Sequence, residues 1–242
     1  MRFVDLTRLL LLAACAASCA NASATLKILV DSSTAMPMAR IEDAQVVGGI
    51  HRDLGIELAR ELGEPAQFLV MPRKRIPVAL ERGDGDLACH FLPEWLPGDF
   101  GWTEPFMPNA LVLLSDARTA PVEQLQDLRG QPIGTVLGFA YPDVERELGA
   151  DFVRDDAGDA SQNLLKFGVG RSRHVLTGEV FWSYQQRIGG IALRAHEPLV
   201  VRRYKAACAV SRKGRFQVAA INRAIRQIQK DHRLAAMYDK YR

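Results

Sequence analysis

The stretch Cys89 to Phe106, CHFLPEWLPGDFGWTEPF, concentrates aromatic surface where a loop is normally small and polar. Phe91, Trp95 and Trp102, with Phe139 and Tyr141 further on, offer flat apolar faces suited to an aromatic, cationic or sugar-like ring. Groups able to hold the polar parts of a small molecule stand nearby in sequence. Arg73, Lys74 and Arg75 cluster at a helix start in MPRKRIP, where cations oppose the helix dipole; they suit either an anionic partner or a solvated basic surface. GTVLGFAYPDVE sets the N–H groups of a helix start beside Gly138, which fits an anion site and an ordinary strand-to-helix turn alike. His90, Glu94 and Glu179 are acid–base candidates if a cleft shifts their pKa values, although a lone histidine such as His90 serves equally as a hydrogen-bonded structural residue. No nucleophile–base signature, metal-ligand spacing or phosphate-cradling glycine loop accompanies them, so no cofactor and no metal are expected.

These residues need a scaffold, and the hydrophobic pattern supplies one. LKILV (26–30), AQFLVM and DLACHFL read as short buried strands; HRDLGIELARELG, stopped by Gly63, and RIPVALERGDG, stopped by Gly83, read as the helices between them. Strand, helix, strand, helix, strand implies right-handed crossovers and a mainly parallel sheet covered by helices. After the strand ALVLLSD a second similar set begins: strand QPIGTVL, a helix from Tyr141 with Pro142 at its start, helix DASQNLLKFGVG capped by Asp159 or Ser161, strand RHVLTG, helix EVFWSYQQR and strand IALRA. A long strand, YKAACAVSRKG, and a helical pair with the apolar stripe Val218, Ile221, Ile225 and Ile228 close the chain. The expected fold is α/β with two lobes, each a mainly parallel sheet flanked by helices. Residues 25–116 and 202–242 form lobe 1, and residues 117–201 form the inserted lobe 2.

The first 24 residues have the order of a secretory signal peptide: Arg2 and Arg8, an apolar run from Leu9, then Ala22-Ser23-Ala24. The rival reading is lipidation at Cys15 in LAAC, which resembles a lipoprotein box. Removing the leader leaves 29 basic against 27 acidic residues, too even a balance to point to nucleic acid or a membrane surface. The periplasm is therefore the expected location. Cys15 and Cys19 fall in the leader; Cys89 and Cys208 remain, either as a disulfide or as two buried thiols.

Taken in order, LKILVDSS, GGIHRDLGIELARELG, ALERGDGDLAC, PEW…GWTEPF, DLRGQPIGTVLG and AAMYDKY resemble the motifs of the extracytoplasmic solute-binding proteins of the amino-acid-binding type, bacterial solute-binding protein family 3. The resemblance spans Leu26 to Arg242. It implies the type II periplasmic-binding fold, with hinges near Ser115–Arg118 and Val200–Arg203 and a solute cleft at the carboxyl ends of parallel strands. It places Asp31 and Ser33 on the first ligand loop, puts Arg75 where some relatives have a cleft arginine, and makes neighbours of the strands carrying Cys89 and Cys208, so a disulfide becomes geometrically possible. Trp102 and Phe106 fall on packing positions of the core or hinge. The chain departs from the family where α-amino acids are clamped: Trp95 replaces the carboxylate-binding arginine, and Gly178, followed by Glu179, replaces the ammonium-binding aspartate. Arg73, Arg75 or Glu179 are the groups available to compensate.

The expected function is thus capture of a small polar or aromatic solute, other than a standard α-amino acid, by a monomer that delivers it to an ABC transporter permease or a membrane sensor. The candidate ligand residues are Asp31, Ser33, Arg75, His90, Phe91, Trp95, Gly138, Phe139, Tyr141 and Glu179. The alternatives are a periplasmic enzyme resembling cyclohexadienyl dehydratase and an accessory signalling protein with a degenerate cleft.

Overall fold

The computed structural model describes residues 25–189 and 194–241. The expected signal peptide, Cys15, and residues 191–193 of the expected strand IALRA lie outside the described residues.

The first half runs β1 (Leu26–Asp31), a hairpin of β2 (Arg40–Glu42) and β3 (Gln45–Gly48), α1 (Ile50–Leu62), β4 (Ala66–Met71), α2 (Ile76–Arg82), β5 (Leu87–Phe91) and the short β6 (Gly101–Trp102). Next, β7 (Met107–Ser115) leads into β8 (Pro132–Val136), α3 (Pro142–Leu148), β9 (Val153–Ala157), α4 (Ala160–Gly168), β10 (His174–Gly178) and α5 (Glu179–Ile188). The long β11 (Leu199–Val210) returns, and α6 (Val218–Lys230) and α7 (Arg233–Asp239) pack against α1. Among the described residues no helix is long and apolar enough to cross a membrane.

Local chemistry sets the element ends. Gly63 and Gly83 take left-handed conformations (φ 70° and 81°) and close α1 and α2 with their N–H groups, as a residue without Cβ does at no steric cost. Asp159, rather than Ser161, caps α4: its Oδ1 accepts from the Gln162 N–H at 2.8 Å. Ile221, Ala224, Ile225 and Ile228 form the buried stripe of α6, with Val218 half-buried at its start. With Leu26, Ile28, Leu54 and Leu58 they make one core; Leu113, Leu128, Ile133, Val144 and Leu148 anchor another beside the second sheet. Each such side chain contributes about 1.5–3 kcal/mol on burial.

The strand order is β4-β1-β5-β11-β7-β10-β8-β9. β1 is parallel to β4 and β5, and β8 is parallel to β9 and β10. Between the two parallel triplets run β11 and β7, antiparallel to each other and to their outer neighbours. Leu111–Ser115 of β7 pair with β10, next to Asp116 where lobe 1 is expected to end. Ser115–Arg118 sits at the far end of that pairing, while Val200–Arg203 lies within the β11–β7 pairing at a register shift between Val200 and Arg202. The β5–β11 register sets Cys89 opposite Cys208, and the two are joined in a disulfide.

Candidate ligand-binding site

The loops leaving the carboxyl ends of the parallel strands converge on a cavity of about 130 Å³. β1 delivers Asp31 and the Ser33 that follows it. The end of β4 delivers Arg73, and β5 ends in His90 and Phe91. From the other sheet come Phe139 and Tyr141, past the end of β8, and Thr177 and Gly178 at the end of β10. The connecting strands add Asn109 and Tyr204, and α5 adds Phe181.

Asp31 and Arg73 are the formal charges in the lining, and both are buried, with side chains 5% and 11% exposed. Asp31 Oδ1 accepts from the N–H and hydroxyl of Ser33 at 3.0 and 2.8 Å, while Oδ2 takes a long 3.4 Å contact from Arg73 Nη1. The guanidinium carbon of Arg73 lies over two ring faces, 4.7 Å from the centre of Phe91 and 4.2 Å from that of Phe139. Desolvation pulls the Arg73 pKa below the usual guanidinium range, with Asp31 opposing, yet the group stays charged at neutral pH.

Two histidines face the same space, their rings edge to face at 6.1 Å. Burial lowers His51 to about 4, against the pull of Asp31, and lowers His90 to about 3, helped by His51 and Arg73. Both are therefore neutral at pH 7. The tautomer of His90 follows from Asn109. The Asn109 Oδ1 accepts from the N–H groups of Ala110 (2.9 Å) and Val180 (3.2 Å), so its Nδ2 is the donor that meets His90 Nε2 at 3.1 Å. His90 then carries its proton on Nδ1. Its φ of 69° is unusual for a residue with a side chain and marks a backbone held by its surroundings.

Trp95 packs edge-on against Tyr204 at 4.9 Å and lines the cavity. Tyr141 also lines it, while its hydroxyl is turned away to accept the Val136 N–H at 3.0 Å; burial raises its pKa to about 12. Phe106 is buried in the first core, and Trp102 meets Phe100 edge to face, outside the cavity lining.

Seven of the residues proposed from the sequence thus meet around one space: Asp31, Ser33, His90, Phe91, Trp95, Phe139 and Tyr141. Three do not. Arg75 is exposed, because the 3₁₀ turn Arg73–Arg75 can aim one of its flanking arginines inward and that one is Arg73. Gly138 stays outside the lining, and the N–H next to it, on Phe139, bonds the Val136 carbonyl. Glu179 is half-exposed beside Arg203 at 3.4 Å. His51, Asn109, Phe181 and Tyr204 were not anticipated; each sits in an element with an ordinary amphipathic or strand pattern that carries no ligand signal.

Solved structures of the same shape cover 90% of this chain. They include an ancestral amino acid-binding protein that is a precursor of cyclohexadienyl dehydratase (TM-score 0.72, 19% identity, 95% of that chain covered). Others are an ancestral arginine-binding protein bound to arginine (0.72, 18%, 97%) and the substrate binding protein of an amino acid ABC transporter (0.70, 14%, 99%). The fold is the two-lobed type II periplasmic-binding fold. At these identities the likeness establishes the fold alone; no protein-family model and no curated protein matches the chain. Within the type II fold, the cavity described above occupies the crevice outside the carboxyl ends of both parallel triplets.

Proposed function

We propose that this chain is an extracytoplasmic solute-binding module that captures a small solute between its lobes and delivers it to an ABC transporter or a membrane sensor. The solute is not a standard α-amino acid. The observation that carries this reading is the cavity itself: a largely apolar, aromatic-walled space with a single buried ion pair, supplied by strand ends of both sheets. The expected α-amino-acid clamp has no counterpart in it. Trp95 stands in place of the clamp arginine. A side chain at Gly178 would begin 3.2 Å from Asn109 Nδ2, a tight approach that asks the Asn109 side chain to give by a few tenths of an ångström.

Catalysis finds less support. Glu94 pairs with Arg202 at 2.8 Å and Glu179 with Arg203, neither lining the cavity, so among the described residues the neutral His90 bonds Asn109 and no carboxylate. The Cys89–Cys208 disulfide favours an oxidising compartment, in keeping with export by the leader at 1–24.

The test is calorimetric titration of the full exported chain with a panel of small solutes, followed by chemical analysis of the mixture. The expected result is saturable binding with the solute recovered unchanged. Conversion of a prephenate-like acid to product would overturn the reading in favour of an enzyme.

A further inference from the structure

Resting on the solute-binding reading above, we infer that the cleft takes a carboxylate carried on an apolar or aromatic body without an α-ammonium group, and that Arg73 is the residue that binds the carboxylate. A guanidinium has five N–H donors in one plane. Among the described residues, one of those on Arg73 has a protein acceptor, Asp31 Oδ2, at the long distance of 3.4 Å. Phe91 and Phe139 cover ring-facing surface of the cation, so what it presents to the cavity is its N–H edge. A buried cation with unused in-plane donors is matched by the two oxygens of a carboxylate.

The same geometry disfavours positively charged solutes. A cationic group would seek an aromatic face or a carboxylate. Phe91 and Phe139 already serve Arg73, and among the described residues Asp31 is the carboxylate in the lining, its oxygens engaged by Ser33 and Arg73. An α-ammonium group would therefore find its carboxylate already shared between Ser33 and Arg73. The remaining walls, Trp95, Phe181, Tyr204 and Leu176 among them, suit an apolar body.

Three probes that differ by one group each decide the point in calorimetry: 3-phenylpropionate, L-phenylalanine and 2-phenylethylamine. The expected order is 3-phenylpropionate at least tenfold tighter than L-phenylalanine, with no saturable binding of the amine. Arg73→Gln should weaken 3-phenylpropionate at least tenfold. The double variant Asp31→Asn/Arg73→Gln, which strands no buried charge, should show the same loss with a folded circular dichroism spectrum. Tighter binding of L-phenylalanine or of the amine, or undiminished 3-phenylpropionate binding by the folded double variant, would overturn the inference. Saturable binding of panel solutes that lack a carboxylate, with none of the three probes bound, would sink the carboxylate class while leaving the solute-binding reading intact. Absence of binding by every solute would end both.

Discussion

The guanidinium carbon of Arg73, just past β4, lies 4.2 Å from the centre of the Phe139 ring, just past β8. One residue from each parallel triplet thus meets across the cavity, so the contact forms when the two sets of strand ends face one another. A desolvated contact of this kind is worth about 1–2 kcal/mol. Phe139→Ala is expected to weaken solute binding roughly tenfold in calorimetry, by the arithmetic of about 1.4 kcal/mol per decade. An unchanged affinity would mean that the contact contributes nothing to holding the lobes on a solute.

Trp95 contributes a cavity wall from the position where the resembled family carries its clamp arginine. Trp95→Arg removes the edge contact with Tyr204 and adds a second cation to the lining. The expected outcome is weaker binding of apolar-bodied solutes and new affinity for α-amino acids, read from the same solute panel. If the range of bound solutes stays the same, selectivity does not reside at Trp95.

The buried histidines make stability depend on pH. In the unfolded chain both protonate near pH 6.5. In the fold they resist protonation down to about 4 for His51 and about 3 for His90. Below pH 6.5 the unfolded state therefore binds more protons, and the stability present above pH 6.5 is lost progressively as pH falls toward 4 and then 3. His90→Asn, with a residue that tolerates the φ of 69°, is expected to flatten the fall in melting temperature between pH 6.5 and 4 relative to the unaltered chain. Parallel curves for the two proteins would contradict this.

The Cys89–Cys208 disulfide ties β5 to β11 across a sequence separation of 119 residues. Closing a loop of that size limits the unfolded ensemble, and losing such a bond typically costs about 2–5 kcal/mol. The double variant Cys89→Ser/Cys208→Ser should unfold at correspondingly lower urea concentration. An identical midpoint, with and without a reducing agent, would show that the bond does not stabilise the fold.

The alternation of strands and helices was legible because the apolar runs and the stops at Gly63 and Gly83 obey local rules. The β2–β3 hairpin was not. It turns on Asp43 and Ala44, both at positive φ, without the Asn-Gly or Asp-Gly pair that usually marks such a turn. Strand β9, VRDDA, hides behind its charges: Asp155 pairs with Lys166 and Asp156 with Arg154, so acids that look like loop are held by neighbours. In the site, the aromatic residues were legible from their concentration. The choice between Arg73 and Arg75 was not, since it depends on how a single 3₁₀ turn is rotated, and the partners Asp31, Phe91 and Phe139 are distant in sequence.

Thermal unfolding of the protein across a solute library, beside Arg73→Gln, tests the central claim most directly. A solute at a hundred times its Kd adds about 2.7 kcal/mol to a protein that binds it only when folded. For a chain of this size that corresponds to a rise of about 5–10 °C. The account predicts such a rise with at least one small solute and its loss in Arg73→Gln. A library that leaves the melting temperature unmoved, or a rise that survives the loss of Arg73, would contradict it.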